Sequence, residues 1–282
     1  MDKPHEILPS NCLNCGTTVN DVYCRHCSQR VRDNTDRSLG QLLGEFLANV
    51  FFIDNRFLIS VWYLFRYPGR MTVEFLDGKR KKFISPVTLF LFVNLLYFFL
   101  TTLTDYSLSL GDQLNSQVYS GEWMRDMVRT KLRAEGLSNS LQYAPIYQKA
   151  SETVSKSVMI INVPLIALLI YLLAFRKRRY YYDSLLFSFH FFTLFLVIMT
   201  AAGWLDELII LIAGHEVSEA SDALFYLFLN GIPILYGILS IKRFLNLRWY
   251  WAIPAGIGVA TSVVLANLVY RLIIFALTLW FT

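Results

Sequence analysis

The sequence predicts an all-α polytopic membrane protein, with about five transmembrane helices preceded by interfacial amphipathic helices and a small N-terminal zinc knuckle. Three observations carry this. Hydrophobic residues make up 55% of the 282 positions and charged residues 17%, where soluble domains carry about 25% charged residues. The basic residues gather at the ends of long apolar runs, where topology determinants sit. All four cysteines fall between positions 12 and 27, a tight cluster that points to a metal in a reducing compartment rather than to scattered disulfides.

Residues 1–36 are the first predicted unit. Cys12-Leu-Asn-Cys15 and Cys24-Arg-His-Cys27 are two C-x-x-C pairs separated by eight residues. Each pair can turn back on itself and present two thiolates. Cys12, Cys15, Cys24 and Cys27 then form the ligand set of a tetrahedral structural Zn2+ site. Gly16 follows the first pair, where a positive φ helps close the turn. Four cysteine ligands leave no open coordination position. The metal is therefore read as a staple for a segment too short to fold on an apolar core, with docking of a protein partner as a secondary role.

Residues 37–83 read as interfacial helices. Ser38-Leu-Gly-Gln41 resembles a capping box, and Leu39, Leu42, Leu43, Phe46, Leu47, Val50 and Phe51 form one apolar stripe at helical spacing. A second helix begins at Asp54 and stops at Pro68-Gly69. Its flanking Arg56 and Arg66 lie too close together to bracket a membrane crossing. A third covers Thr72 to Asp77 and ends at Gly78. Lys79, Arg80, Lys81 and Lys82 follow as a positive anchor. With Arg176, Lys177, Arg178 and Arg179 they are candidates for contact with anionic lipid.

Residues 84–282 are the predicted transmembrane domain. Its five spans are placed at Phe83–Leu103, Val158–Phe175, Ser184–Ala202 (extending towards Ala213), Asp222–Ile241 and Trp251–Ile273. Residues 104–157, with six basic and six acidic side chains, form an outer connection, either a small cap or a mobile loop. Trp123, Met127 and Leu132 suggest a helix there. The opening MDKPHEILPS lacks the pattern of a secretory signal, so insertion is expected to rest on the internal runs. Placing the N-terminus inside puts 19 of the 26 Lys and Arg residues on the cytoplasmic side, as the positive-inside rule demands. The C-terminus then lies outside. Tyr180–Tyr182 and Trp249–Trp251 stand at the boundaries, the usual place for amphipathic rings.

The chain resembles the bacterial DUF3667 family, membrane proteins of unknown function. The resemblance rests on Cys12 to Cys27, Asp54-Asn-Arg56-Phe, Tyr67-Pro68-Gly69-Arg70, Glu74-Phe-Leu-Asp-Gly78-Lys79-Arg80 and Ser85-Pro86. It implies the same architecture and a bacterial cytoplasmic membrane location. It implies no activity.

Polar groups inside a bilayer are costly and are functional candidates by default. Asn94, His190, Asn230, Asn267 and Arg271 fall within predicted spans, and Asn230-Gly-Ile-Pro233 suggests a kink or break in span four. These residues could line a polar pathway, making the chain a transporter or lipid-handling protein. They could equally serve helix packing, which favours a non-enzymatic membrane module. No P-loop, Rossmann, G-x-S-x-G or H-E-x-x-H signature occurs, so no enzyme is expected. The net charge of +5 is a membrane signature rather than a nucleic-acid one. Self-association of the bundle is compatible with the sequence. Gly214-His215-Glu216 is a weak candidate for a metal in the acidic connection after span three.

Overall fold

The computed structural model describes residues 10–21, 23–29, 55–100, 109–118, 120–137, 139–174, 177, 180–213 and 219–282. The stripe at 39–51, Arg176, Arg178, Arg179 and Gly214-His215-Glu216 lie outside the described residues. Strands β1 (Ser10–Asn11) and β2 (Thr18–Val19) pair antiparallel, Ser10 opposite Val19. The helices are α1 (Asn55–Arg66), α2 (Arg70–Leu76), α3 (Pro86–Leu100), α4 (Leu110–Asn115), α5 (Glu122–Ala134) and α6 (Ser140–Val158). A 3-10 turn (Met159–Ile161) joins α6 to α7 (Asn162–Leu173). Then come α8 (Tyr181–Ala213), α9 (Glu219–Leu245) and α10 (Trp249–Phe281).

Helix α8 is the centre of the bundle. It packs against α3, α7 and α9, and α1 and α2 lean on it. Residues Tyr182 to Leu194 are buried without interruption, which is why this stretch is apolar all round instead of striped. Two of its hydroxyls are satisfied within the helix. Ser188 donates to the Ser184 carbonyl at 2.8 Å and Thr193 to the Phe189 carbonyl at 2.6 Å.

The outer surface of the bundle is greasy. Phe99 is 78% exposed, Leu172 56% and Val264 59%. Bundles that face water do not show such contiguous apolar surface, whereas a bilayer requires it. Among the described residues, three helices are long and apolar enough to cross a membrane: Ser140–Leu173, Tyr181–Leu205 and Trp249–Phe281. The described part of helix α3 has 15 residues, about 22 Å at 1.5 Å per residue, and ends where positions 101–108 fall outside the described residues. It starts at Pro86 rather than Phe83, since a first-turn proline lacks an N–H that the helix could not satisfy anyway.

One feature departs from the sequence-based expectation. Helix α9 runs unbroken through Asn230 and Pro233, so the expected break is absent. Its C-terminal half lies against α10 at very short range. A Cβ on Gly256 would collide with the backbone of Ile238, and one on Gly237 would lie 3.0 Å from the Gly256 carbonyl oxygen. Such small-residue contact holds paired helices in membranes, and it supports α9 beside its proline. Of the two alternatives for the connection at 104–157, the described residues from 109 to 157 form the cap, with helices α4, α5 and most of α6. They share a core of Leu110, Met124, Val128, Tyr143 and Tyr147 with Phe275 and Leu279 of α10. The buried face of α5 is Met124 and Val128, while Trp123 and Met127 are half exposed. Helix α6 continues through the 3-10 turn into α7, so the helix that carries the second apolar run begins well before Val158. The 3-10 turn falls where Pro164 cannot donate to the carbonyl of Ile160.

The bundle has two distinct ends. Phe187, near the start of α8, meets Phe244, near the end of α9, at 4.9 Å between ring centres. Arg243 donates to the Pro68 carbonyl at 2.6 Å, bringing the α1–α2 turn to the same end. At the opposite end Trp204 donates to the Leu100 carbonyl at 2.7 Å, and Tyr143 bonds Thr282.

Candidate functional site

The thiol cluster is built from two matching turns. In the first, the Gly16 N–H donates to the Cys12 carbonyl and the Cys12 N–H to the Thr17 carbonyl, both at 2.8 Å. In the second, the Ser28 N–H donates to Cys24 at 2.7 Å and the Cys24 N–H to Gln29 at 2.8 Å. Gly16 has φ 78° and Ser28 has φ 53°, so both turns close through a left-handed residue, and in the second that residue is not glycine. Val19 packs on Cys12 and Cys24 as a minimal core.

The geometry fits a metal. All four sulfurs lie within 4.8 Å of one another, and the cysteines are free thiols. Cys12–Cys27 and Cys15–Cys24 are each 3.6 Å apart. Sulfurs about 2.3 Å from a tetrahedral zinc lie about 3.8 Å from one another. The Thr17 hydroxyl and backbone draw the Cys15 thiol down to about 5, while burial pushes Cys27 up to about 11. Four sulfurs at this spacing could hold one metal ion.

The knuckle is seated on the turn after α2. Gly78 has φ 95°. Its N–H donates to Phe75 at 3.2 Å and the Lys79 N–H to Glu74 at 3.0 Å, the paired bonds of a glycine helix stop. The same glycine makes room for the knuckle, because a Cβ there would lie 2.6 Å from Leu13 Cδ1. Gln29 completes the seat. Its Nε2 donates to the Gly78 carbonyl at 2.6 Å and its Oε1 accepts the Lys81 N–H at 3.4 Å.

Immediately beneath lies a buried carboxylate. Glu74 accepts from Arg70 Nε at 2.6 Å and from Lys82 Nζ at 2.9 Å. Lys82 also donates to the Tyr63 hydroxyl at 2.6 Å and lies over the Tyr63 ring. Burial opposes the charge on Glu74, but the bonds from Lys82 and Arg70 outweigh it and hold the carboxyl below its ordinary range. Lys82 also loses hydration, and the Tyr63 and Glu74 contacts still raise it.

The Glu74 contribution is complete above the ordinary carboxylate pKa of about 4.3 and is lost as pH falls through the lowered value. The Lys82 contribution is complete below about 10.4 and is lost as pH rises through the raised value. Glu74→Gln is expected to cost about 1–3 kcal/mol at neutral pH and to flatten the acid limb. Melting temperatures of detergent-solubilised protein between pH 3 and 7 check this.

The candidate lipid contacts differ in exposure. Lys79, Lys81 and Lys177 are exposed. Arg80 is half-buried, over the Phe75 ring. Lys82 is partly exposed, and its ammonium is engaged by Glu74 and Tyr63. The intramembrane polar residues scatter. His190 is buried with its Nδ1 2.8 Å from the Thr72 hydroxyl. Asn230 is exposed, and Asn94, Asn267 and Arg271 are partly buried on α3 and α10. His190 thus turns towards α2, and nothing in this placement favours a shared pathway. Sequence reasoning did not assign Glu74, Tyr63 or Thr72 to a site. The Arg70–Glu74 spacing of four on one helix was the available signal.

Residues 54–98, which hold this ion cluster and helix α3, match a family described as protein of unknown function (DUF3667). No curated protein and no solved structure matches the chain.

Proposed function

We propose that this chain, which carries the DUF3667 segment, is a non-enzymatic multi-pass membrane module whose zinc-stapled knuckle is clamped to the cytoplasmic end of the bundle and presents its outer face to a protein partner. One observation carries this reading: cationic elements far apart in sequence meet the thiol cluster at one end. The knuckle touches residues 78–81, Arg243 touches Pro68, and the start of α8 meets the end of α9. Positive charge marks the cytoplasmic face, and the cytoplasm keeps thiols reduced.

In this reading α3, the apolar run that ends in α7, and helices α8, α9 and α10 make five crossings of a bacterial cytoplasmic membrane, and the cap of α4, α5 and the polar body of α6 lies outside with the C-terminus. Anionic headgroups sit at Lys79, Arg80, Lys81 and the run 176–179. The exposed face of the knuckle carries Tyr23, 57% exposed, beside the Arg25–Asp21 pair.

Reporter fusions after Arg179 and after Glu219 are expected to report the cytoplasm and the exterior respectively; the reverse result overturns the orientation. A photocrosslinking residue at position 23 is expected to give a protein adduct in native membranes that is lost in Cys24→Ser. No adduct in the native background overturns the docking role.

A further inference from the structure

We propose that the crevice between α1, α8 and α9 binds one anionic phospholipid, with an acyl chain in the crevice and the phosphate at Arg66 and Arg243. The inference rests on the reading of this end of the bundle as the headgroup level. It concerns a defined site, distinct from the cationic runs at 79–81 and 176–179.

The crevice has a volume of about 310 Å³ and is lined by Phe65, Leu194, Ile198, Ala201, Ile232 and Tyr236. The one hydroxyl among these, on Tyr236, is turned away to the Leu64 carbonyl at 2.8 Å, which leaves an apolar slot suited to hydrocarbon. It lies on the flank of the bundle, open to where lipid tails lie.

The rim is cationic. Arg66 follows Phe65 directly. Its guanidinium and that of Arg70 both lie by the Tyr67 ring, at 5.5 and 5.2 Å. Arg243 donates to the adjacent Pro68 carbonyl through Nη1 and keeps its other donors. On α9, Ile232, Tyr236 and Arg243 fall on one stripe, four and seven residues apart. Arg243 stands about 10 Å beyond Tyr236 along the axis, the order of chain and headgroup in a lipid. Arg70 is neutralised by Glu74, whereas among the described residues Arg66 and Arg243 form no ion pair with a carboxylate. Forked guanidiniums match a phosphodiester.

The test is native mass spectrometry of the full chain in detergent, titrated with phosphatidylglycerol and, separately, phosphatidylcholine of the same chains. One tightly held phosphatidylglycerol per chain is expected, with a preference of about tenfold over phosphatidylcholine. Arg66→Gln with Arg243→Gln is expected to abolish the preference. Ala201→Trp, which fills the slot, is expected to weaken both lipids about tenfold while sparing the preference. Arg66→Gln alone, at an exposed position, should halve the effect if the double variant does not fold. Equal binding of the two lipids overturns the proposal. So does loss of preference in the arginine variant with no effect of Ala201→Trp, which marks a charged surface without a chain slot. Competition by inorganic phosphate at matched concentration also overturns it. Recovery of the chain in the aqueous fraction would defeat the membrane reading itself, a result distinct from any of these.

Discussion

Cys24→Ser protein is expected to lose its metal and the fold of residues 10–29 together. The segment has a two-residue ladder and a core of Val19 among the cysteines, far below what a chain needs to fold on burial alone. Structural zinc supplies about 10–16 kcal/mol to such units at neutral pH, so its loss cannot be absorbed. Elemental analysis should find one zinc per native chain and close to none in the variant. Hydrogen exchange should show the amides of Cys12, Gly16, Cys24 and Ser28 unprotected in the variant. The apolar helices should stay in the membrane fraction after alkaline washing, because their burial does not depend on the knuckle. Native protein without zinc would remove the metal site.

Gly69→Ala is expected to be strongly destabilising, because backbone strain and a backbone collision coincide there. Gly69 caps α2 with φ 71°, a region that costs a residue with a Cβ about 1–2 kcal/mol. The added carbon would also lie 2.6 Å from the Ser240 carbonyl oxygen and 2.8 Å from its Cα. Both are backbone atoms of α9, so no rotamer change relieves them, and overpacking adds about 1–3 kcal/mol. The turn would move away from α9, loosening the Arg243–Pro68 and Tyr236–Leu64 bonds. Gly136→Ala is the control, with φ 67° but nothing within 4 Å of the added Cβ. Melting in detergent should show a clearly larger loss for Gly69→Ala. Equal losses would mean that the close approach to Ser240 carries no energy.

Much of the candidate site was legible because its signals are local. Two C-x-x-C pairs confine four thiols to a few ångströms whatever follows them. Gly78 was read as a helix stop, and the backbone there closes as such a stop must. The second turn of the knuckle was harder, since Ser28 adopts a left-handed φ with no glycine to announce it. The helix suggested by Trp123, Met127 and Leu132 is α5, and Leu132 packs on its core, but the full burial of Met124 and Val128 was not legible, since it depends on Phe275 and Leu279 on a helix about 150 residues later.

By itself the sequence determined the helical class, the lipid-facing character and the thiol cluster. Each follows from composition, periodicity or spacing within one short stretch. The tertiary structure decided that Gly78 is also the seat of the knuckle, and that Lys82 bonds Glu74. It decided too that His190 answers Thr72 across 118 positions, and that α9 passes its proline unbroken. These outcomes depend on which helices meet. Helix pairing is set by shape and charge matched between distant segments, and no window along the chain contains both partners.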